Sequence, residues 1–112
     1  MGTNYYLLTK KIRKGEYPEG GLHIGKQSCG WIFHFESHPS IKSLKDMMEA
    51  TKIGIIYDEY GRRVSYKEFW KNVRESKEPD EDGTIPLGLT EEGIRLGDYE
   101  SEGYPFSTLE FS

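Results

Sequence analysis

The sequence is poor in the residues that usually announce chemistry. It holds one cysteine, Cys29, which excludes an internal disulfide and a thiolate cluster for zinc and fits a reducing compartment. A lone small thiol of this kind is expected to pack rather than react. No apolar run approaches the ~18 residues that cross a bilayer, and the N-terminus shows no basic segment followed by an apolar signal core. Tyr6 stands where a myristoylation signal carries Ser or Thr. The expected location is therefore cytoplasmic, with no membrane partner. No Gly-x-Ser-x-Gly elbow, dinucleotide fingerprint or ordered Cys/His pair occurs, so catalysis lacks positive evidence and no cofactor is implied.

What is present bounds the fold. Apolar residues make up 35% and charged residues 30% of the 112, which is polar for a globular chain, but an aromatic share of 13% excludes disorder. One core and a single domain, 1–112, are expected at this length. Charge is unevenly divided. Residues 1–74 carry 13 basic and 8 acidic side chains, a net +5, whereas residues 75–112 carry 2 and 11, a net −9. A basic body and an acidic C-terminal third should attract, and the acidic residues Asp80, Glu81, Asp82, Glu91 and Glu92 form a candidate surface for a basic partner.

The pattern along the chain is that of an α+β protein. Residues 4–9 read as a first strand and residues 22–28 as a second, separated by a Gly- and Pro-rich loop. Residues 31–36 alternate, with Trp31, Phe33 and Phe35 on one face and Ile32, His34 and Glu36 on the other. Ser43 caps a helix that groups Leu44, Met47 and Met48, and Ser65 with Glu68 forms a capping box before Phe69, Trp70 and Val73. Residues 53–58, the turn 58–61 and residues 62–64 make a hairpin. Thr90 opens one helical turn, and residues 106–111 close the chain as a strand. The expected architecture is an antiparallel or mixed sheet of about four to five strands with two short helices on one face.

Few constellations carry chemistry. Residues 20–27 come within one position of a phosphate-binding P-loop, but Gln27 occupies the magnesium-ligand position and an aromatic strand follows where a helix is needed. The same residues support a weaker reading. His23, Lys26 and Ser28, with a backbone amide freed by Gly25 or Gly30, can gather around an anion, Lys26 as the point charge and Ser28 as a neutral donor. The competing reading is an ordinary turn with a solvated Lys26. His23, His34 and His38 lack the spacing of a metal site, so no metal is expected. Asp58 and Glu59 are read as turn formers. The basic segment from Lys10 to Lys14 and the pair Arg62 and Arg63 accompany Tyr5, Tyr6 and Tyr60, a mixture that serves nucleic acids, but the overall acidity argues against that partner.

Several motifs together, Met-Gly-Thr-Asn-Tyr-Tyr at residues 1–6, His-Ile-Gly-Lys at 23–26 with Ser28 and Gly30-Trp31, Asp-Glu-Tyr-Gly at 58–61, Gly103-Tyr-x-Phe106 and Glu-Phe-Ser at 110–112, give a resemblance. The chain resembles a family of small proteins encoded mainly by bacteriophages and prophages. That resemblance implies a setting, the cytoplasm of an infected host cell, more than a mechanism. Many members of the family carry cysteines just before the His-Ile-Gly-Lys motif, which implies a metal site there; residues 12–19 of this chain have none. Carried over by position are His23, Lys26, Ser28 and Trp31, with Asn4, Tyr5 and Tyr6 as neighbours.

Three functions follow as expectations. One is a phage accessory binding protein that inhibits or sequesters a host component, of the anti-CRISPR or nucleotide-sponge kind. Another is a small enzyme or sensor for a nucleotide or other phosphorylated ligand, with His23 as acid or base and Lys26 on the phosphate. The remaining one is a structural or interaction module. The expected partners are a host protein or a small phosphorylated ligand, with the chain a monomer or homodimer.

Overall fold

The computed structural model describes residues 2–13, 16, 18 and 20–109. Its elements in chain order are strands β1 (Gly2–Leu8), β2 (Leu22–Ser28) and β3 (His34–Glu36), helix α1 (Leu44–Ile53), strands β4 (Ile55–Asp58) and β5 (Arg63–Val64), helices α2 (Tyr66–Glu75) and α3 (Glu91–Arg95), and strands β6 (Tyr99–Ser101) and β7 (Tyr104–Ser107). All seven strands lie in one sheet, in the order β5-β4-β1-β2-β3-β7-β6. The pairs are antiparallel except β3 with β7, which run parallel. The sheet is thus mixed, as expected, but has more strands than the four to five anticipated. The surplus comes from the acidic third. Its β6–β7 hairpin turns through Glu102 and Gly103, both at positive φ, and joins the sheet beside β3. Of the expected closing strand 106–111, only residues up to Ser107 are strand, and residues 110–112 lie outside the described residues.

One face of the sheet carries the apolar core. Tyr5, Ile24, Phe35, Ile56 and Phe106 meet Phe69, Trp70 and Val73 of α2 and Leu44 and Met47 of α1. Ser43 caps α1 by accepting from the Asp46 N–H at 3.1 Å, and Ser65 caps α2 by accepting from Glu68 at 3.1 Å. The capping box is half used, because the Glu68 carboxylate accepts from Arg62 at 3.0 Å. Met48 is not on the buried side of α1, where Thr51 stands instead with Leu44 and Met47. The helix runs on to Ile53, and 3.6 residues per turn bring position 51, not 48, back over 44 and 47.

The alternating segment 31–36 is shorter in structure than in pattern. Only His34–Glu36 is strand, and Trp31 is 38% exposed rather than packed beside Phe33 and Phe35. Its backbone is drawn aside by the segment around Leu87. Leu87 N–H donates to Gly30 and Ile32 N–H donates to Leu87, while Phe33 N–H donates to the Ser76 hydroxyl at the end of α2. Gly30, at φ 82°, supplies the turn that starts this detour. Cys29 precedes it on the surface and is exposed, not packed.

The two helices are tied by one buried hydrogen bond. Trp70 Nε1 donates to Thr51 Oγ1 at 3.0 Å, and that hydroxyl donates to Met47 O at 2.7 Å. Thr51→Val preserves the shape and strands the indole N–H in the core. The expected loss is about 1 to 3 kcal/mol, read as a lower urea midpoint with unchanged slope; an unaltered midpoint would show that the bond contributes nothing.

Candidate functional site

The face away from the helices is polar, because the pleat that sends Tyr5 and Phe35 into the core sends Asn4, Tyr6, His34 and Glu36 the other way. Two of these positions, Asn4 and Glu36, meet His23 in a buried network. His23 Nδ1 lies 2.8 Å from Glu36 Oε1, and His23 Nε2 lies 2.7 Å from Asn4 Oδ1. All three residues are less than a tenth exposed. The Asn4 oxygen can only accept, so Nε2 carries a proton. Nδ1 and the Glu36 carboxyl group then share a hydrogen bond through one further proton. Tyr6 lies against the imidazole with ring centroids 5.4 Å apart. His38 completes the cluster by donating from Nε2 to His23 O at 2.8 Å, with Glu36 Oε2 at 3.8 Å. The Asn4 N–H donates to the Glu59 carboxylate at 2.7 Å, so Glu59 braces β1. Asp58 is the turn former, with Oδ1 accepting from the N–H groups of Tyr60 and Arg62.

A separate groove lies further along β2. It has a volume of about 270 Å³ and is lined by Lys26, Ser28, Trp31, His34, Asp98 and Ser107. Gly2, opposite Ser28 in the ladder, makes it possible: a Cβ there would stand 2.6 Å from Lys26 Cε and 2.7 Å from Ser28 Oγ. The Lys26 stem therefore lies across a position that only glycine leaves vacant, and its ammonium has no ion-pair partner among the described residues. Gln27 does not face the groove; its amide donates to the carbonyls of Ser28 and Trp31 and closes the turn between them. His34 Nε2 stands 3.8 Å from Asp98 Oδ2. Burial pushes the His34 imidazole below its ordinary range, and the Asp98 carboxylate offsets this only in part.

The expected gathering of His23, Lys26 and Ser28 is thus split. Lys26, Ser28 and Trp31 share the groove, whereas His23 is buried beside it in the network with Asn4 and Tyr6. Gly25 is not in a loop with a freed amide. It sits inside the sheet between Tyr5 and Phe35, where any Cβ would collide with the His34 carbonyl and the Phe33 ring. Residues that the sequence pattern did not select include Glu36, Asp98 and Ser107. The alternation that made Phe35 a core residue was the available signal for Glu36. No local signal marks the other two, since the β6–β7 hairpin brings them from the far end of the chain.

The acidic residues are exposed. Asp80 spends its carboxylate on its own loop, accepting from the N–H groups of Asp82 and Thr84 at 2.9 Å each, while Glu81, Asp82, Glu91 and Glu92 face solvent. Among the described residues, no Lys or Arg of 2–74 pairs with a carboxylate of 75–109; the close contact between titratable groups of the two parts is His34 with Asp98. The described residues hold no group of three or more His, Cys, Asp or Glu with the geometry for a metal ion. Among them, no helix is long and apolar enough to cross a membrane. No family model, no curated protein and no solved structure matches the chain.

The network has a measurable consequence. Glu36→Ala removes the partner of Nδ1 and leaves a buried ring nitrogen unsatisfied beside a void, which should cost about 1 to 3 kcal/mol in urea unfolding. A loss below about 1 kcal/mol would mean that the pair is worth no more than an exposed one.

Proposed function

We propose that this chain is a binding protein that captures a small phosphorylated ligand of nucleotide type in the groove lined by Lys26, Ser28 and Trp31. The observation that carries this reading is the convergence of Lys26 and Ser28 over Gly2 beside an exposed indole. An ammonium and a hydroxyl attract a phosphate, and an indole face accepts a stacked base. Asp98 adds an acceptor for an amino or hydroxyl group and disfavours a ligand that is nothing but an anion. The His23 geometry supports capture over turnover: both ring nitrogens are engaged by Asn4 and Glu36, so this imidazole is not aimed at a ligand as an acid or base. Set beside the resemblance to phage and prophage proteins, the reading is an accessory protein that sequesters a nucleotide signal of its host.

The test is a thermal-shift screen of nucleoside phosphates, cyclic oligonucleotides and inorganic phosphate. A ligand at a hundred times its dissociation constant adds about 2.7 kcal/mol of stability, a rise of several degrees for a domain of this size. Lys26→Ala should abolish that rise without lowering the melting temperature of the free protein. If no compound stabilises the chain, or if Lys26→Ala responds like the parent, the groove is not the site.

A different reading is favoured by the exposed, unpaired carboxylates of Glu81, Asp82, Glu91 and Glu92, which could occupy a cationic groove on a host protein. Exchanging these residues for Gln or Asn should then abolish capture of a host protein from lysate at low salt. Capture by the exchanged variant equal to that of the parent would refute the acidic-surface reading.

A further inference from the structure

A cavity on the other side of the network is larger, about 550 Å³ against about 270 Å³ for the groove. It lies between the chain leaving β1 and the turn joining β4 to β5, and its lining combines Lys11, Arg62 and Arg63 with Ile12, Tyr57 and Tyr60. The walls are fixed. Tyr57 is 3% exposed, and its hydroxyl accepts from the Ile12 N–H at 3.1 Å, which holds the basic segment against the sheet. The turn is set by Asp58 and by Gly61 at φ 79°, and it leaves the Tyr60 ring 68% exposed. An aromatic ring so exposed beside a cavity keeps most of its solvent contact and remains available to stack.

The charges divide into two kinds. Arg62 is neutralised in place, with Nε donating to Asp58 at 3.3 Å and Nη2 to Glu68 at 3.0 Å. Lys11 and Arg63 have no ion-pair partner among the described residues and are exposed at the rim. Apolar and aromatic walls with cations at the rim match a flat heterocycle that carries phosphate at its edge. Neither a bare anion nor an apolar ligand would use both halves of this lining.

We infer that this cavity receives an unstacked base together with its phosphate, with Tyr60 against the base and Lys11 and Arg63 on the phosphate. The net −4 of the chain does not oppose this, because residues 1–74 carry +5 and the −9 belongs to residues 75–112. The same chemistry is offered by a free nucleotide and by a single strand of nucleic acid, and the experiment separates them. The inference does not rest on the groove at Lys26.

The experiment is fluorescence anisotropy with a labelled oligothymidine of about ten nucleotides and with labelled mononucleotides, at several salt concentrations. Binding is expected, and Tyr60→Ala should weaken it roughly 5- to 150-fold, the range for stacking one base, whereas Tyr60→Phe retains it. Lys11→Ala with Arg63→Ala should flatten the log affinity against log salt slope by roughly 1.4, about 0.7 for each charge. Lys67→Ala with Lys71→Ala removes the same charge from the exposed side of α2 and should leave the affinity nearly unchanged. Competition by free mononucleotides at equal base concentration identifies a nucleotide ligand, and binding of the oligomer alone identifies a strand; either supports the site. No binding of any probe, unchanged affinity in Tyr60→Ala, or equal losses in the two double variants would overturn it. Failure of the groove shows in Lys26→Ala and failure of this cavity in Tyr60→Ala, so the two are told apart.

Discussion

Strand β3 is three residues long, and most of the molecule depends on its register. Its pleat sends Phe35 to the helix side and His34 and Glu36 to the opposite side. Phe35 is fully buried, stacked on Phe106 at 5.0 Å and on Trp70 at 5.7 Å. Glu36 on the other side holds His23 of β2, which holds Asn4 of β1. A slip of one residue would drive an imidazole or a carboxylate into the ring cluster and turn a phenyl ring toward the polar groups. So short a strand has few ladder hydrogen bonds to resist slipping. Rings on one face and a buried hydrogen-bond network on the other supply the resistance, which is where a buried polar network is most useful: modest in net stability, strong in excluding wrong alignments.

The same arrangement explains why the acidic third belongs to the fold. β7 pairs with β3 in parallel through Phe35 with Phe106 and Glu36 with Ser107, so the hairpin it forms with β6 is anchored by stacking rather than by charge. Tyr99 of β6 extends the stack, with its ring 5.5 Å from Phe106. Lys77, just past α2, lies 3.8 Å over the Tyr104 ring and adds a cation–π contact. Attraction between a basic body and an acidic tail would predict ion pairs at their junction, yet the junction is mainly aromatic. That leaves the surface carboxylates outward and the cations of the body free for other partners.

Legibility in the sequence followed the range of the interactions. The three helix starts were readable because an N-cap is a local event, between Ser43 and Asp46, Ser65 and Glu68, or Thr90 and Gly93. The turn at Asp58 was readable for the same reason, being closed within four residues. The polar face was readable in part: Lys26, Ser28 and Trp31 do share a groove, since residues 26 and 28 are two apart on one strand. The position of His23 was not readable, because a bulge in the β1–β2 pairing falls between it and Gly25 and its partners come from two other strands. Nor was the exposure of Trp31, which depends on Leu87, a residue whose segment carries no strand pattern of its own. Alternation predicts which face a residue takes only while the chain stays in the ladder, and at Gly30 it leaves.

Charge distribution bears on both cavities more than net charge does. An approaching ligand responds to the field within about 8 to 10 Å, the screening length in ordinary salt. Near the β4–β5 turn Lys11 and Arg63 are unpaired among the described residues, while Arg62 is shared by the carboxylates of Asp58 and Glu68. Near the groove Lys26 is opposed by Asp98, with His34 held toward its neutral form. The first site presents two unpaired cations at its rim, whereas in the second an ammonium and a carboxylate share the lining. The unpaired cations at the turn are what the phosphate of the proposed ligand would meet, whether that ligand is a free nucleotide or part of a strand. A single small ligand with both donor and acceptor groups is matched to the groove, where one ammonium and one carboxylate face each other across a space of small-molecule size. The two proposed sites differ in the charge they present, because folding left cations of one unpaired and set a carboxylate into the other.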